Sequence, residues 1–163
     1  MRKLTGINFC AALIFPALVF VSCAGGASFK SGSGAEFKDA QGKEWTLQQI
    51  KSQGKTVRID RKKLEANNMS GAFTVNFEEG RVSGVGAPNR YFGPYTVNSN
   101  NVLNIGLLAG TMMASFYEPE ELKEKEFYDY LSKAKHWDIR SKKLQIYSAN
   151  SEGADTVLIF ESK

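Results

Sequence analysis

Two residue types that carry much of protein chemistry are nearly missing: the chain of 163 residues has one histidine, His136, and two cysteines, Cys10 and Cys23. A metal site of the usual composition draws on several His and Cys ligands, and thiol catalysis needs a Cys–His pair. Both cysteines fall within or at the end of an export leader, so we expect no metal, no cofactor and no internal disulfide. G-x-S-x-G is absent, as is a P-loop, and the Gly84-x-Gly86 start of a dinucleotide fingerprint meets Asn89 where its third glycine belongs. Paired carboxylates occur as Glu78-Glu79 in a turn and as Glu118, Glu120 and Glu121 at a helix start, where solvation and the helix dipole account for them. His136, beside Trp137, reads as the end of that helix, favourable to its dipole. We expect no enzyme and assign no catalytic residue.

Excess charge is also lacking. The formal charge of +4 comes from 21 basic and 17 acidic residues; without Arg2 and Lys3 it is 19 against 17, or +2. Nucleic-acid affinity rests on clustered cations that neutralise phosphates, so no nucleic-acid partner is expected. The one basic cluster, Val57 to Lys63, is interrupted by Asp60 and bordered by Glu65, and reads as a solvated face.

No apolar run is long enough for a spanning helix. Ile7 to Val21, broken by Asn8 and Pro16, is shorter than the roughly 20 residues a bilayer requires. With Arg2 and Lys3 before it and Val21-Ser22-Cys23 after it, the run reads as a secretory leader. The FVSC ending resembles a bacterial lipoprotein lipobox with Phe20 in a relaxed first position, which implies cleavage before Cys23 and acylation of that residue. Two or three acyl chains make a stable membrane anchor. Residues 1–22 are then a leader and 23–43 a lipidated cysteine with a Gly/Ser-rich flexible tether, leaving 44–163 as one domain. Ala24 stands where, in some bacteria, an aspartate retains lipoproteins at the inner membrane, so the outer membrane is the favoured location.

Within the domain, alternation dominates. Trp45 and Leu47, Val57 and Ile59, and Phe73, Val75 and Phe77 each repeat at period two, as half-buried strands do. Glu78-Glu79-Gly80 reads as a hairpin turn into Val82 and Val85, and Asn98 to Asn101 as a second turn between Tyr95-Val97 and Leu103-Ile105. Short connections of this kind imply antiparallel pairing. A helix is expected over about 118–135: Pro119 suits a first helical position, Glu120 and Glu121 suit the positive end of the dipole, and Leu122, Phe127, Tyr130, Leu131 and Ala134 share one face. Glu121 with Lys125 and Asp129 with Lys133 would pair opposite, although Lys123 falls in the apolar half. Trp137-Ile139, Leu144-Ile146 and an apolar Val157–Phe160 complete the set. The fold class is mainly β within α+β: a small curled antiparallel sheet, able to close as a barrel, with one packed helix.

Gly84, Gly86 and Pro88 fall within five residues directly after a strand, which forces a corner, and Tyr91, Phe92 and Tyr95 gather around Gly93-Pro94 beside it. Thr111, Met113 and Ala114 follow after a second strand. The order G-x-x-x-x-N, G-x-Y, strand, T-x-M-A, carried by Gly84, Asn89, Gly93, Tyr95, Thr111, Met113 and Ala114, resembles the META domain of heat-shock HslJ-like proteins, over about Trp45 to Phe160. The resemblance implies cysteines just before the Asn and after the Met-Ala; Pro88 and Ser115 occupy those positions here.

Two functions are compatible with these features. One is a non-catalytic, lipid-anchored structural or stress-related module of the cell envelope that binds other envelope proteins. The other, suggested by a likeness to pilot lipoproteins, is a carrier or secretion-assembly factor holding an acyl chain or peptide in a hydrophobic groove. Candidate ligand or partner residues are Asn89, Tyr91, Phe92, Tyr95, Met113 and Phe116, with Met112 and Tyr117 at the same mouth.

Overall fold

A computed structural model describes residues 34–162, so the leader, Cys23 and most of the tether lie outside the described residues. The strands are β1 (Glu44–Ser52), β2 (Lys55–Arg58), β3 (Thr74–Glu78), β4 (Arg81–Val85), β5 (Arg90–Asn98), β6 (Val102–Ile105), β7 (Ala109–Gly110), β8 (His136–Arg140), β9 (Lys143–Ala149) and β10 (Asp155–Ser162). Eight of them close an antiparallel barrel in the order β10-β9-β8-β6-β5-β4-β3-β1, sealed by β1 against β10 from Trp45↔Ser162 to Ser52↔Thr156. Closure removes the sheet edges that an open meander would expose. β2 and β7 lie off the ring, on β1 and β5 respectively.

An eight-stranded barrel has an interior just wide enough for side chains to fill. Trp45, Leu47, Val75, Phe77, Val82, Tyr91, Leu103, Trp137, Ile146 and Phe160 turn inward at period two and join one continuous apolar core. The seam between β6 and β8 is the weakest, with Val102↔His136 as its paired position, and α2 (Glu124–Ser132) packs beside it against β6 and β9. Phe127 and Leu131 on α2 are fully buried, and the Phe127 ring packs against Phe73 and Tyr91.

Four local expectations change. The helix begins at Glu124, not near 118, because Pro119 and Leu122 turn inward from an irregular segment and are buried there. Lys123 is its N-cap residue, which explains its misfit with the apolar face, and the i,i+4 pair that forms is Lys125–Asp129 at 2.8 Å. His136 opens β8 and is not part of the helix, which ends at Ser132. The Val57–Lys63 cluster runs into a short helix, α1 (Arg61–Ala66), capped by Asp60 accepting from the Lys63 N–H at 3.0 Å; β2 before it is exposed throughout, and Ile59 and, on α1, Leu64 reach the core.

The domain also starts earlier than Glu44. A 3-10 turn at Phe37–Ala40 seats the Phe37 ring against Phe77, Tyr95 and Trp137, with centroids 5.1, 5.4 and 4.9 Å away. The Trp45 indole donates to the Ala40 carbonyl at 2.8 Å. Residues that composition assigns to a tether therefore plug one end of the barrel.

Candidate functional site

The corner after β4 stands at the opposite end from that plug, and its shape follows from two glycines. A Cβ on Gly84 would lie 2.0 Å from the Thr74 carbonyl oxygen, and one on Gly86 would lie 2.4 Å from the Tyr128 hydroxyl and 2.5 Å from Glu124 Oε1. No side chain fits at either position. The Ala87–Pro88 peptide is cis, and the chain reverses so that the Gly86 N–H donates to the Asn89 carbonyl at 2.6 Å.

Asn89 then ties three segments together. Its Oδ1 accepts from the Met113 N–H at 2.6 Å and the Thr111 hydroxyl at 2.9 Å, while Nδ2 donates to Glu124 Oε2 at 2.7 Å and the Met113 carbonyl at 3.3 Å. Glu124, in the first turn of α2, accepts at Oε1 from the N–H groups of Ala87 (2.6 Å) and Asn89 (2.7 Å). Thr111 closes the arrangement by pairing with Arg90 through backbone and hydroxyl. The Tyr128 hydroxyl donates to the Asn89 carbonyl at 3.1 Å, and burial, then the Glu124 carboxylate, push its pKa upward. Hydrogen bonds to an ionised carboxylate are among the stronger ones, and each N–H held here would otherwise be left without a partner at the turn.

Asn89 is 7% exposed, with its amide and both backbone groups engaged. It works as a clasp between the corner, the segment at 111–113 and the start of α2. Glu124, the carboxylate on which the clasp turns, carries one signal in the sequence, an acidic side chain in a helix's first turn.

The remaining candidates separate. Tyr91 is buried, donates to the Thr74 carbonyl at 2.8 Å and packs edge-on against Phe127 and Tyr128; burial, then Tyr128, push its hydroxyl pKa well up. Tyr95 is buried toward the plugged end, accepting from the Gln41 amide at 2.8 Å and stacking edge-on with Phe77. Phe92 points outward beneath the Arg81 guanidinium, 4.4 Å from the ring centroid. Met112 and Phe116 are fully exposed and Met113 half exposed on the segment after β7, with Tyr117 partly buried against the core. Tyr91 and Tyr95 thus belong to the packed interior, and Phe92, Met113 and Phe116 to the outer surface, so the six do not line one mouth. Cys23, the lipidation candidate, lies outside the described residues.

The closed barrel is shared with solved structures. It matches an NMR structure of a protein from Burkholderia xenovorans with a TM-score of 0.56 and 21% identity, covering 82% of this chain and 95% of that one. A DUF4847 family protein from Bacteroides vulgatus ATCC 8482 matches with a TM-score of 0.53 and 14% identity, covering 77% of this chain and 95% of that one. At these identities the likeness is one of fold. No curated protein matches the sequence significantly. The model of the META domain matches residues 38–163, from the plugging turn to the last strand, and the chain belongs to the META domain family.

Proposed function

We propose that this META-domain protein is a non-catalytic binding module, held in the bacterial cell envelope by lipid on Cys23, that meets its partners on the outside of the barrel. The observation that carries the proposal is the filled interior: the rings at its two ends, Tyr91 and Tyr95, are buried against other core side chains, and Asn89 is committed to the clasp. A module with its interior closed has its outer surface left for recognition. The leader, the small residues before Cys23 and the Gly/Ser run after it support anchoring, and Ala24 supports the outer membrane. Among the described residues no helix is long and apolar enough to cross a membrane.

The carrier reading keeps one supporting observation. Leu107, before β7, and Met112, Met113 and Phe116, after it, are exposed apolar side chains, and flexible methionines adapt to varied apolar guests. Such contact would occur on the outer surface and not inside the barrel. The anchor is tested by growing cells that express the full chain with an alkyne-bearing palmitate analogue. Label that is incorporated and then lost in Cys23→Ser is expected; an unlabelled chain, or label that persists in the variant, would overturn the anchoring.

A further inference from the structure

Eleven consecutive residues, Gly106 to Phe116, carry no charge, and all of them except Leu108 are exposed. Leu107 is 90% exposed, Met112 is 99% exposed and Phe116 is fully exposed. The backbone holds these side chains out. The Gly106 N–H donates to the Pro94 carbonyl at 2.9 Å, the Thr111 N–H donates to the Arg90 carbonyl at 3.0 Å, and the clasp fixes Met113. Both hydroxyls of the stretch are engaged within the chain, Thr111 donating to Asn89 Oδ1 and Ser115 to the Tyr117 carbonyl. What the stretch offers a partner is therefore apolar contact from a fixed backbone.

On the barrel side the stretch is bordered by cations. β7 pairs with β5 at Phe92↔Ala109, and Arg90 and Phe92 alternate with the buried Tyr91, so both face outward beside β7. Arg81, on the neighbouring β4, lies over the Phe92 ring. Neither arginine has an ion pair among the described residues. Beyond Phe116 the first two acids are paired, Glu118 with Lys123 at 2.8 Å and Glu120 with Lys63 at 3.4 Å. The exposed basic side chains of β2 lie elsewhere, because β2 hangs from β1, three strands around the ring from β5.

The length of chain before the barrel brings a bilayer to this face. Residues 23–33 separate the lipid proposed on Cys23 from Gly34, and eleven residues reach at most about 38 Å. The chain enters the barrel at Phe37, whose ring lies 5.4 Å from that of Tyr95. Arg90, beside Thr111, is five residues from Tyr95 along β5, or about 17 Å. We propose that the anchored domain lies against the membrane through this stretch, with Leu107, Met112 and Phe116 in the interface between head groups and acyl chains and with Arg81 and Arg90 at the lipid phosphates. A bilayer interface accepts apolar side chains without a complementary shape, asks for no hydrogen bonds from them and supplies anions to the arginines. A second copy docked through the same stretch would bring no carboxylate of that stretch to either cation. The inference deepens the proposed exterior surface and rests on the anchoring at Cys23.

The test uses the full chain as cells process it, purified in detergent and reconstituted into vesicles of phosphatidylethanolamine and phosphatidylglycerol. The environment-sensitive dye nitrobenzoxadiazole is placed on Met112→Cys, on Phe116→Cys or, as a control on the β2 side, on Lys55→Cys. The parent chain should float with the vesicles and take no dye, because Cys10 leaves with the leader and lipid occupies the Cys23 sulfur. Dye at positions 112 and 116 should be quenched by lipids brominated near the glycerol end of the acyl chain, the depth of about 5–10 Å at which interfacial apolar faces sit, and dye at position 55 should not. Leu107→Ser with Met112→Ser should release the dye at position 116 from quenching while the thermal midpoint stays unchanged, which separates lost contact from lost folding. An anchored chain with unquenched dye at 112 and 116 overturns the inference and leaves the anchor standing. Blue-shifted emission without quenching shows a protein surface or a second copy over the stretch, and quenching at position 55 alone shows the basic face on the membrane; each overturns the inference. A parent chain that takes dye and stays off the vesicles refutes the anchor, and the inference with it.

Discussion

The two ends of the barrel solve the same closure problem with different chemistry. At one end Phe37, Phe77, Tyr95 and Trp137 meet, edge to face except for the tilted Phe37–Tyr95 pair, and the plug is made almost wholly of rings. At the other the corner, the 111–113 segment and α2 are joined by Asn89, Thr111 and Glu124, and the plug is a set of directed hydrogen bonds. The aromatic end is stabilised by area and tolerates small shifts. The clasp is stabilised by geometry and tolerates few. Most of the pattern that resembles HslJ-like proteins, namely Gly84, Asn89, Thr111 and Met113, falls in the clasp. Pro88 and Ser115, which replace the cysteines that the resemblance implies, flank the same two segments that Asn89 already joins to Met113. In this chain hydrogen bonds make that connection.

Breaking the aromatic end should have the largest effect. Phe77→Ala removes a fully buried ring that touches Phe37 and Tyr95, and a loss of about 3–5 kcal/mol is expected by chemical denaturation. Glu124→Ala should follow, at about 2–4 kcal/mol, because it leaves the Ala87 and Asn89 backbone N–H groups without an acceptor and the Asn89 amide with only the Met113 carbonyl; Glu124→Gln, which keeps one acceptor, should recover part of the loss.

Raising the pH should sharpen the contrast from the clasp side. Tyr91 and Tyr128 have hydroxyl pKa values raised by burial in the folded state, so the unfolded chain releases its protons first. Their contribution is complete below about pH 10, the unfolded tyrosine value, and declines as pH climbs toward the folded values. Tyrosinate absorbance near 295 nm should therefore rise together with unfolding, whereas independent titration of the native protein would contradict the burial argument. Phe116→Ser, on the exposed segment beyond the clasp, should change stability by less than about 0.5 kcal/mol.

How much of this could be read in the residues depends on distance along the chain. Period-two alternation marks β3 at Val75 and Phe77 and β5 at Tyr95 and Val97, and the turns at Gly80 and Asn98–Asn101 sit between the strands they join. Closure of β1 on β10 pairs Trp45 with Ser162, a contact with no local signature. The helix starts later than its local signals Pro119 and Glu120 indicate, because the inward pull of Pro119 and Leu122 overrides them. The candidate site divides in the same way. The corner is visible from Gly84, Gly86 and Pro88, but Tyr91 and Tyr95, four residues apart on one face, reach different ends of the barrel, and no residue near Asn89 in sequence announces Glu124.

Amide hydrogen exchange across residues 110–117 tests the clasp most directly. Met113 is 56% exposed and follows a fully exposed Met112, yet its N–H is held by Asn89 Oδ1 at 2.6 Å. The account predicts that the Met113 amide exchanges orders of magnitude more slowly than that of Phe116, approaching the rate set by global unfolding, and that Asn89→Ala abolishes the difference. A Met113 amide that exchanges as fast as Phe116 in the unmodified protein would contradict it.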